Sequence, residues 1–155
     1  MKISDWNLVR LLQHNARVTN RSLAEAAHMA PSTALGRVRD LEARKVITGY
    51  HASVDLAALG RPLQAMVFVK LRPKTDAAVA AFVDAVWALD ETLGVSLLSG
   101  ADDAIVHVAV RDTAALRSSV LRHISNLPGV VDERTSVVFE HRSKTIVPPV
   151  ELIDD

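Results

Sequence analysis

The stretch LAEAAHMAPSTALGRVRDLEARKVITGY, residues 23–50, holds two amphipathic patterns a few residues apart, and its second half is studded with arginine. Ser22 precedes the first pattern with Glu25 three positions on, the spacing of a capping box, so a short helix is predicted there. Pro31 suits the first turn of a second helix, where its missing N–H would be an orphan anyway. On that helix Ala34, Leu35, Val38 and Leu41 recur at 3.6-residue spacing and make the inward face. Ser32, Thr33, Gly36, Arg39 and Asp40 fall on the opposite side, with Arg37 on the flank. Upstream, Asp5 with Ser4 before it predicts an N-cap, and Leu8, Leu11 and Leu12 carry a helix to about Asn15.

Two short helices joined by a tight turn, the second displaying small hydroxyls and arginines, is the layout of a helix-turn-helix whose second helix enters the major groove of double-stranded DNA. Ser32, Thr33 and Gly36 are small enough to let the backbone approach base edges, and Arg17, Arg21, Arg37 and Arg39 offer phosphate or guanine contacts. Charge points the same way. Residues 1–50 hold eight lysines and arginines against four acids, +4, whereas the remainder holds ten against fourteen, −4, so the chain as a whole is neutral. A small helical bundle with a solvated basic face remains the alternative.

At 155 residues, 49% of them hydrophobic, the chain can bury a substantial core. No apolar run approaches the length of a membrane span and MKISDWNLVRLL (residues 1–12) lacks the pattern of a secretory leader, so a cytoplasmic protein with no membrane partner is expected. The absence of cysteine excludes disulfides, thiol catalysis and cysteine-ligated zinc or iron–sulfur clusters. The six histidines, at 14, 28, 51, 107, 123 and 141, include no two within four residues, so no local metal motif emerges. Nucleophile elbow, phosphate-cradling glycine loop and H-E-x-x-H are all missing. Neither catalytic residues nor a cofactor are expected.

After Gly49 the period changes. YHASVDL (50–56) alternates like a strand and runs into the turn AALG. LQAMVFVKLR (63–72) reads as a strand; TDAAVAAFVDAVWALD (75–90) as a helix capped by Thr75, with Val79, Phe82, Val83, Val86 and Leu89 on one face. GVSLLSG and DAIVHVAVR are two strands about the turn GADD; DTAALRSSVLRHISNL is a helix capped by Asp112, with Leu116, Val120 and Ile124 inward and Pro128-Gly129 as its stop; VVDERTSVVFEHR is a last strand. The order β-α-β-β-α-β is the ferredoxin-like split unit, an α+β fold with both helices on one sheet face. Apolar alternation on the other face, at Met66, Phe68, Val106 and Val108 or their strand neighbours, implies burial against a second copy and hence a homodimer. The expected division is 1–48, a DNA-binding head; 49–62, a connecting strand and linker; 63–142, the ferredoxin-like domain; and 143–155, a tail over the surface.

Together the two halves resemble the Lrp/AsnC (leucine-responsive, "feast or famine") transcriptional regulators, through LLQHNARV, SLAEAAHMAPSTALGRVRDLEARKVITGY, VSLLSGADD and LPGVVDERTSVV. The resemblance implies a winged-helix-like helix-turn-helix domain followed by an ACT-like (RAM) ligand-sensing domain, and dimers that assemble into tetramers or octamers. It implies that Ser32, Thr33 and Arg37, with Arg39, read a DNA operator. It also implies that Gly100, Ala101, Asp102 and Asp103, with Thr135, lie near a pocket between dimers that takes an amino acid. Glycine allows close approach to backbone amides, a carboxylate can accept from an ammonium group, and threonine offers a hydroxyl. The chain departs from the family pattern at Ala30, where a serine cap is usual, at Gly36, where a larger polar side chain is common, and at Asp102 and Ala104, where aromatics often flank the aspartate. GADD also reads as a plain hairpin turn. A ligand-independent DNA-architectural protein and a haem-biosynthesis decarboxylase of the same two-domain layout are the alternative functions.

Overall fold

Helical periodicity in the first third of the chain and strand alternation in the rest produce two units in the computed structural model, which describes residues 1–154. One comprises Met1–Ser53 with the segment from Arg142 onward, and the other Val54–His141.

The first unit contains α1 (Ile3–His14), α2 (Asn20–Ala26) and α3 (Pro31–Ala43). Leu8, Leu23, Ala24 and Ala34 form its core, with Leu11, Leu12, Val18, Met29 and Val38 packed around them. Leu41 is fully buried, but Leu35, expected inside, is exposed. The helix starts differ from the sequence expectation. Thr19 caps α2 by accepting from the Ser22 N–H, and Glu25 pairs with Arg21 at 3.0 Å rather than closing a capping box. Lys2, with no side-chain cap bond, stands at the start of α1, so Asp5 is helical and buried. Ala30 precedes α3 without a cap bond, leaving Pro31 to set the first turn.

The second unit contains β1 (Leu63–Leu71), α4 (Asp76–Trp87), β2 (Thr92–Leu97), β3 (Ala104–Val110), α5 (residues 113–125) and β4 (Val130–Val138). The sheet order β2-β3-β1-β4 is antiparallel throughout. Thr75 caps α4 through the Ala78 N–H and Asp112 caps α5 through the Ala115 N–H, as expected. The middle of α5, Leu116–Leu121, is π-helical, and Leu116, Val120 and Ile124 nonetheless share its buried side. Ala65, Val67, Val69 and Leu71 of β1 meet Ala104, Val106, Val108 and Val110 of β3 beneath the helices, against Phe82 and Val86. Val106 and Val108 therefore sit on the helix-covered face, not the open one. The open face carries Met66 and Phe68, paired with His107 and Ile105, all half-buried. There the His107 Nε2 lies 3.0 Å from Gln64 Oε1, and its ring centroid is 5.3 Å from that of His141.

Residues 50–56 form no strand. They have the alternation but pair with no sheet edge among the described residues, and 56–60 close as a turn in which the Arg61 N–H reaches the Leu56 carbonyl at 2.8 Å. No helix among the described residues is long and apolar enough to cross a membrane.

Candidate nucleic-acid interface and effector turn

α2 ends with His28 at φ 55°, its N–H donating to Glu25 and the next N–H, of Met29, to Ala24. This is the Schellman arrangement, which turns the chain sharply into α3. Asn20 Nδ2 donates to the Pro31 carbonyl at 3.0 Å and ties the two helix starts together. With Ala34 and Leu41 buried, Ser32, Thr33, Gly36, Arg39 and Asp40 all face solvent. A Cβ added at Gly36 would meet nothing within 4 Å, so no neighbour in the chain requires a glycine there. Arg17 and Arg21 are also exposed, the latter paired with Glu25.

Arg37 is placed differently. Its guanidinium donates to Ser4 Oγ at 2.5 Å and to Asp5 Oδ1 at 3.0 Å, while Arg44 reaches Asp5 Oδ2 at 3.3 Å and Asp40 at 2.9 Å. Asp5, with its side chain only 10% exposed, thus joins α1 to two arginines at either end of the last turns of α3. Asp5, expected from the sequence to cap α1, lies inside the helix instead, and Arg44, for which the sequence suggests no role, is its second partner. Asp5 precedes Leu8 by three residues, the inward spacing of α1, and that is the signal that marks it as buried.

In the second unit the Gly100–Asp103 turn joins β2 to β3. The Leu98 N–H donates to the Asp103 carbonyl and the Asp103 N–H to Val69, both at 2.9 Å. Gly100 and Ala101 are exposed. The Asp103 carboxylate accepts from the Leu71 N–H at 2.8 Å, from Lys74 at 2.5 Å and from Arg72 at 3.4 Å. The Lys74 ammonium, then the Leu71 amide, hold its carboxyl below the usual carboxylate range. Asp103 is therefore a tie between the turn and the loop after β1. Asp102 bonds Arg134 at 2.9 Å, and that guanidinium lies over the Phe68 ring, 4.7 Å from its centroid. Register pairs Thr135 with Val67, so the Thr135 side chain belongs to the helix-covered face, opposite to that of Arg134. Gly100 to Asp103 are consecutive in this turn, whereas Thr135 lies on the sheet face opposite to the Asp102–Arg134 pair; Arg134, Arg72 and Lys74, which the sequence alone does not single out, bond the turn's carboxylates instead. Among the described residues no three histidine, aspartate or glutamate side chains are grouped to hold a metal ion.

Comparison with known proteins covers both units. Residues 3–42 match the AsnC-type helix-turn-helix domain and residues 64–147 the Lrp/AsnC ligand binding domain. The HTH-type transcriptional regulator AldR of Mycobacterium tuberculosis is 39% identical over 137 residues, 88% of this chain and 76% of AldR. The leucine-responsive regulatory protein of Escherichia coli K12 is 33% identical over 136 residues, 88% of this chain and 83% of that protein. Among solved structures, a Neisseria meningitidis transcriptional regulator in complex with L-Met has a TM-score of 0.88 at 28% identity, over 96% of both chains. The MtbAldR crystal structure has a TM-score of 0.72 at 34% identity, over 96% of this chain and 100% of its own. With both domains matched in order and the likeness spanning most of its length, the chain belongs to the Lrp/AsnC family of transcriptional regulators.

Proposed function

We propose that this regulator reads operator DNA with the outward face of α3 and responds to an amino acid bound beside the Gly100–Asp103 turn. The observation that carries the DNA half is the composition of that face: Ser32, Thr33, Gly36 and Arg39 are all exposed, while α3 packs through Ala34, Val38 and Leu41. Arg39 supplies a base or phosphate contact, Ser32 and Thr33 short hydroxyl contacts, and Arg17 and Arg21 phosphate contacts beside the recognition helix. Arg37, bonded to Asp5 and Ser4, serves the interface by anchoring α3. The half-buried apolar face of Met66, Phe68 and Ile105 packs against a second copy, making a dimer whose two recognition helices fall about 34 Å apart, one turn of DNA. Higher assemblies form from such dimers, and the protein works in the cytoplasm, where its DNA is.

The effector reading has a different support. Gly100 and Ala101 expose backbone at a turn braced from below by Asp103, and the Neisseria relative is known as an L-Met complex. With Asp103 already bonded to Lys74 and Arg72, an amino acid is held by backbone groups of the turn and by the edge of the Asp102–Arg134 pair. A ligand that binds only the folded protein raises its melting temperature, so a screen of amino acids by thermal shift tests this half.

Gly36→Ala tests the DNA half with opposite signs. An exposed mid-helix glycine costs about 1 kcal/mol relative to alanine, so the variant stabilises the head. If the backbone at residue 36 lies against DNA, the added methyl group weakens binding to a duplex selected by the native protein from a random pool. A stabilised variant that binds that duplex as well as the native chain, together with unchanged binding by Arg39→Ala, would remove α3 from the interface.

A further inference from the structure

Residues 148–153 lie beyond both matched family domains, which span 3–42 and 64–147, yet they are built into the DNA-binding head. Lys2, at the start of α1, gives no side-chain cap, so the first backbone N–H groups of the helix need other acceptors. The Ile3 N–H donates to the Ile153 carbonyl at 3.1 Å, and the Ile153 N–H donates to the Met1 carbonyl at 2.9 Å, closing a parallel bridge between Lys2 and Ile153. At the other end of α1, the Val147 N–H donates to Gln13 Oε1 at 2.6 Å and Gln13 Nε2 approaches the Val147 carbonyl at 3.5 Å. The segment therefore grips α1 at both ends. The dimensions agree: ten helical residues from 3 to 13 rise about 15 Å, and six extended residues from 147 to 153 span about 19 Å, enough to follow the helix from outside its axis. Pro148 and Pro149 stiffen the span, which lowers the entropy lost in laying it down.

The grip has a direct route to the recognition helix. Ile3 and Asp5 belong to the same first turn of α1, and Asp5 holds Arg37 of α3 and Arg44, the residue that caps its end. Ile153 lines the same cleft as Asp5, Arg37 and Arg44. We propose that residues 147–153 are a positioning strap for DNA recognition: by capping α1 they fix the Asp5 hub, and through it the pose of α3. This rests on the reading of α3 as the DNA-contacting helix.

The test compares the full chain with a chain ended at Lys144, and with the paired point variants Ile153→Pro, which removes the N–H donated to Met1, and Gln13→Ala. The probe is a duplex enriched from a random pool by the full chain, alongside a scrambled duplex. Trp6 in α1 and Trp87 in α4 are the two tryptophans, one in each unit, so a Trp87→Phe background lets fluorescence follow the head alone. Binding is measured well below the head's melting temperature. The expected result is affinity for the enriched duplex weakened about tenfold, roughly 1.4 kcal/mol, with the salt slope retained because no phosphate contact is lost, and with discrimination against the scrambled duplex reduced. A strap that served stability alone would lower the melting temperature and leave affinity and discrimination unchanged in the folded range; that result overturns the proposal. If the shortened chain does not fold, Ile153→Pro and Gln13→Ala decide by the same criteria. If the full chain enriches no duplex, the DNA reading of α3 fails, and the strap's role in recognition fails with it.

Discussion

The two units are held together by different means. The sheet unit buries thirteen apolar residues in one cluster, whereas the head's cluster has four, so apolar burial alone dominates the first and is shared with polar ties in the second. Among the described residues, no charged group is buried in the sheet core. In the head, the buried Asp5 is bonded by two partly exposed arginines, α1 is capped by a distant carbonyl, and Asn20 bonds the Pro31 carbonyl. The division suits a head that must keep an arginine-rich helix exposed, because polar ties orient a helix without covering its outward face. The largest expected effect is accordingly in the sheet unit: Phe82→Ala empties the centre of its core and should cost about 3–5 kcal/mol. Denaturant unfolding of a Trp6→Phe chain, followed by Trp87, measures it. A loss near 1 kcal/mol would mean that α4 is not the main cover of the sheet.

Asp5→Ala sharpens the comparison from the other side. Removing the carboxylate takes away the acceptor that Arg37 and Arg44 share, but Arg37 keeps Ser4, Arg44 keeps Asp40, and their side chains are 34% and 51% exposed and can rehydrate, so the cost should fall below that of a fully buried pair, at about 2 kcal/mol. In a Trp87→Phe chain this appears as an earlier Trp6 transition. A change within about 0.5 kcal/mol would show that the small apolar core holds the head unaided, and would erase the contrast.

The same contrast explains what the sequence made legible. The sheet unit is legible nearly whole because its strands alternate against one buried face, and because Thr75 and Asp112 declare its helix starts with side-chain caps. Faces were harder than elements: one residue of offset reverses a strand, and Val106, Val108 and Thr135 belong to the helix-covered side. In the head the third helix and its outward face were legible, but the start of α1 was not, since its cap comes from residue 153, and neither was the Asp5 hub, whose partners lie more than thirty residues away. Nor did glycine mark the helix ends. His28 and Lys45 occupy the left-handed positions at φ 55° and 58° where glycine is the usual choice, and Val46 and Met29 complete the Schellman bonds behind them. His28→Gly should therefore stabilise the head by about 0.5 kcal/mol, the relief of left-handed strain less the added freedom of the unfolded chain. A destabilised variant would mean that the His28 side chain contributes more to the head than its backbone costs.

The smallest effect belongs to the sheet's open face and concerns pH. Burial, and secondarily the neighbouring His141, hold His107 below its usual value of 6.5. The unfolded chain then binds a proton at His107 more readily than the folded one, so stability is fully present above pH 6.5 and declines as the pH falls from there toward the folded value. His107→Gln should flatten the stability profile of the sheet unit between neutrality and mild acid while leaving the profile of the head, read at Trp6, unchanged. The effect is small in one chain because the ring is only half-buried and solvent screens it. In the proposed dimer a second copy covers this face and adds to the desolvation in the same direction, so on that proposal the acid loss should grow with protein concentration. A profile equally steep in His107→Gln would assign the acid sensitivity elsewhere.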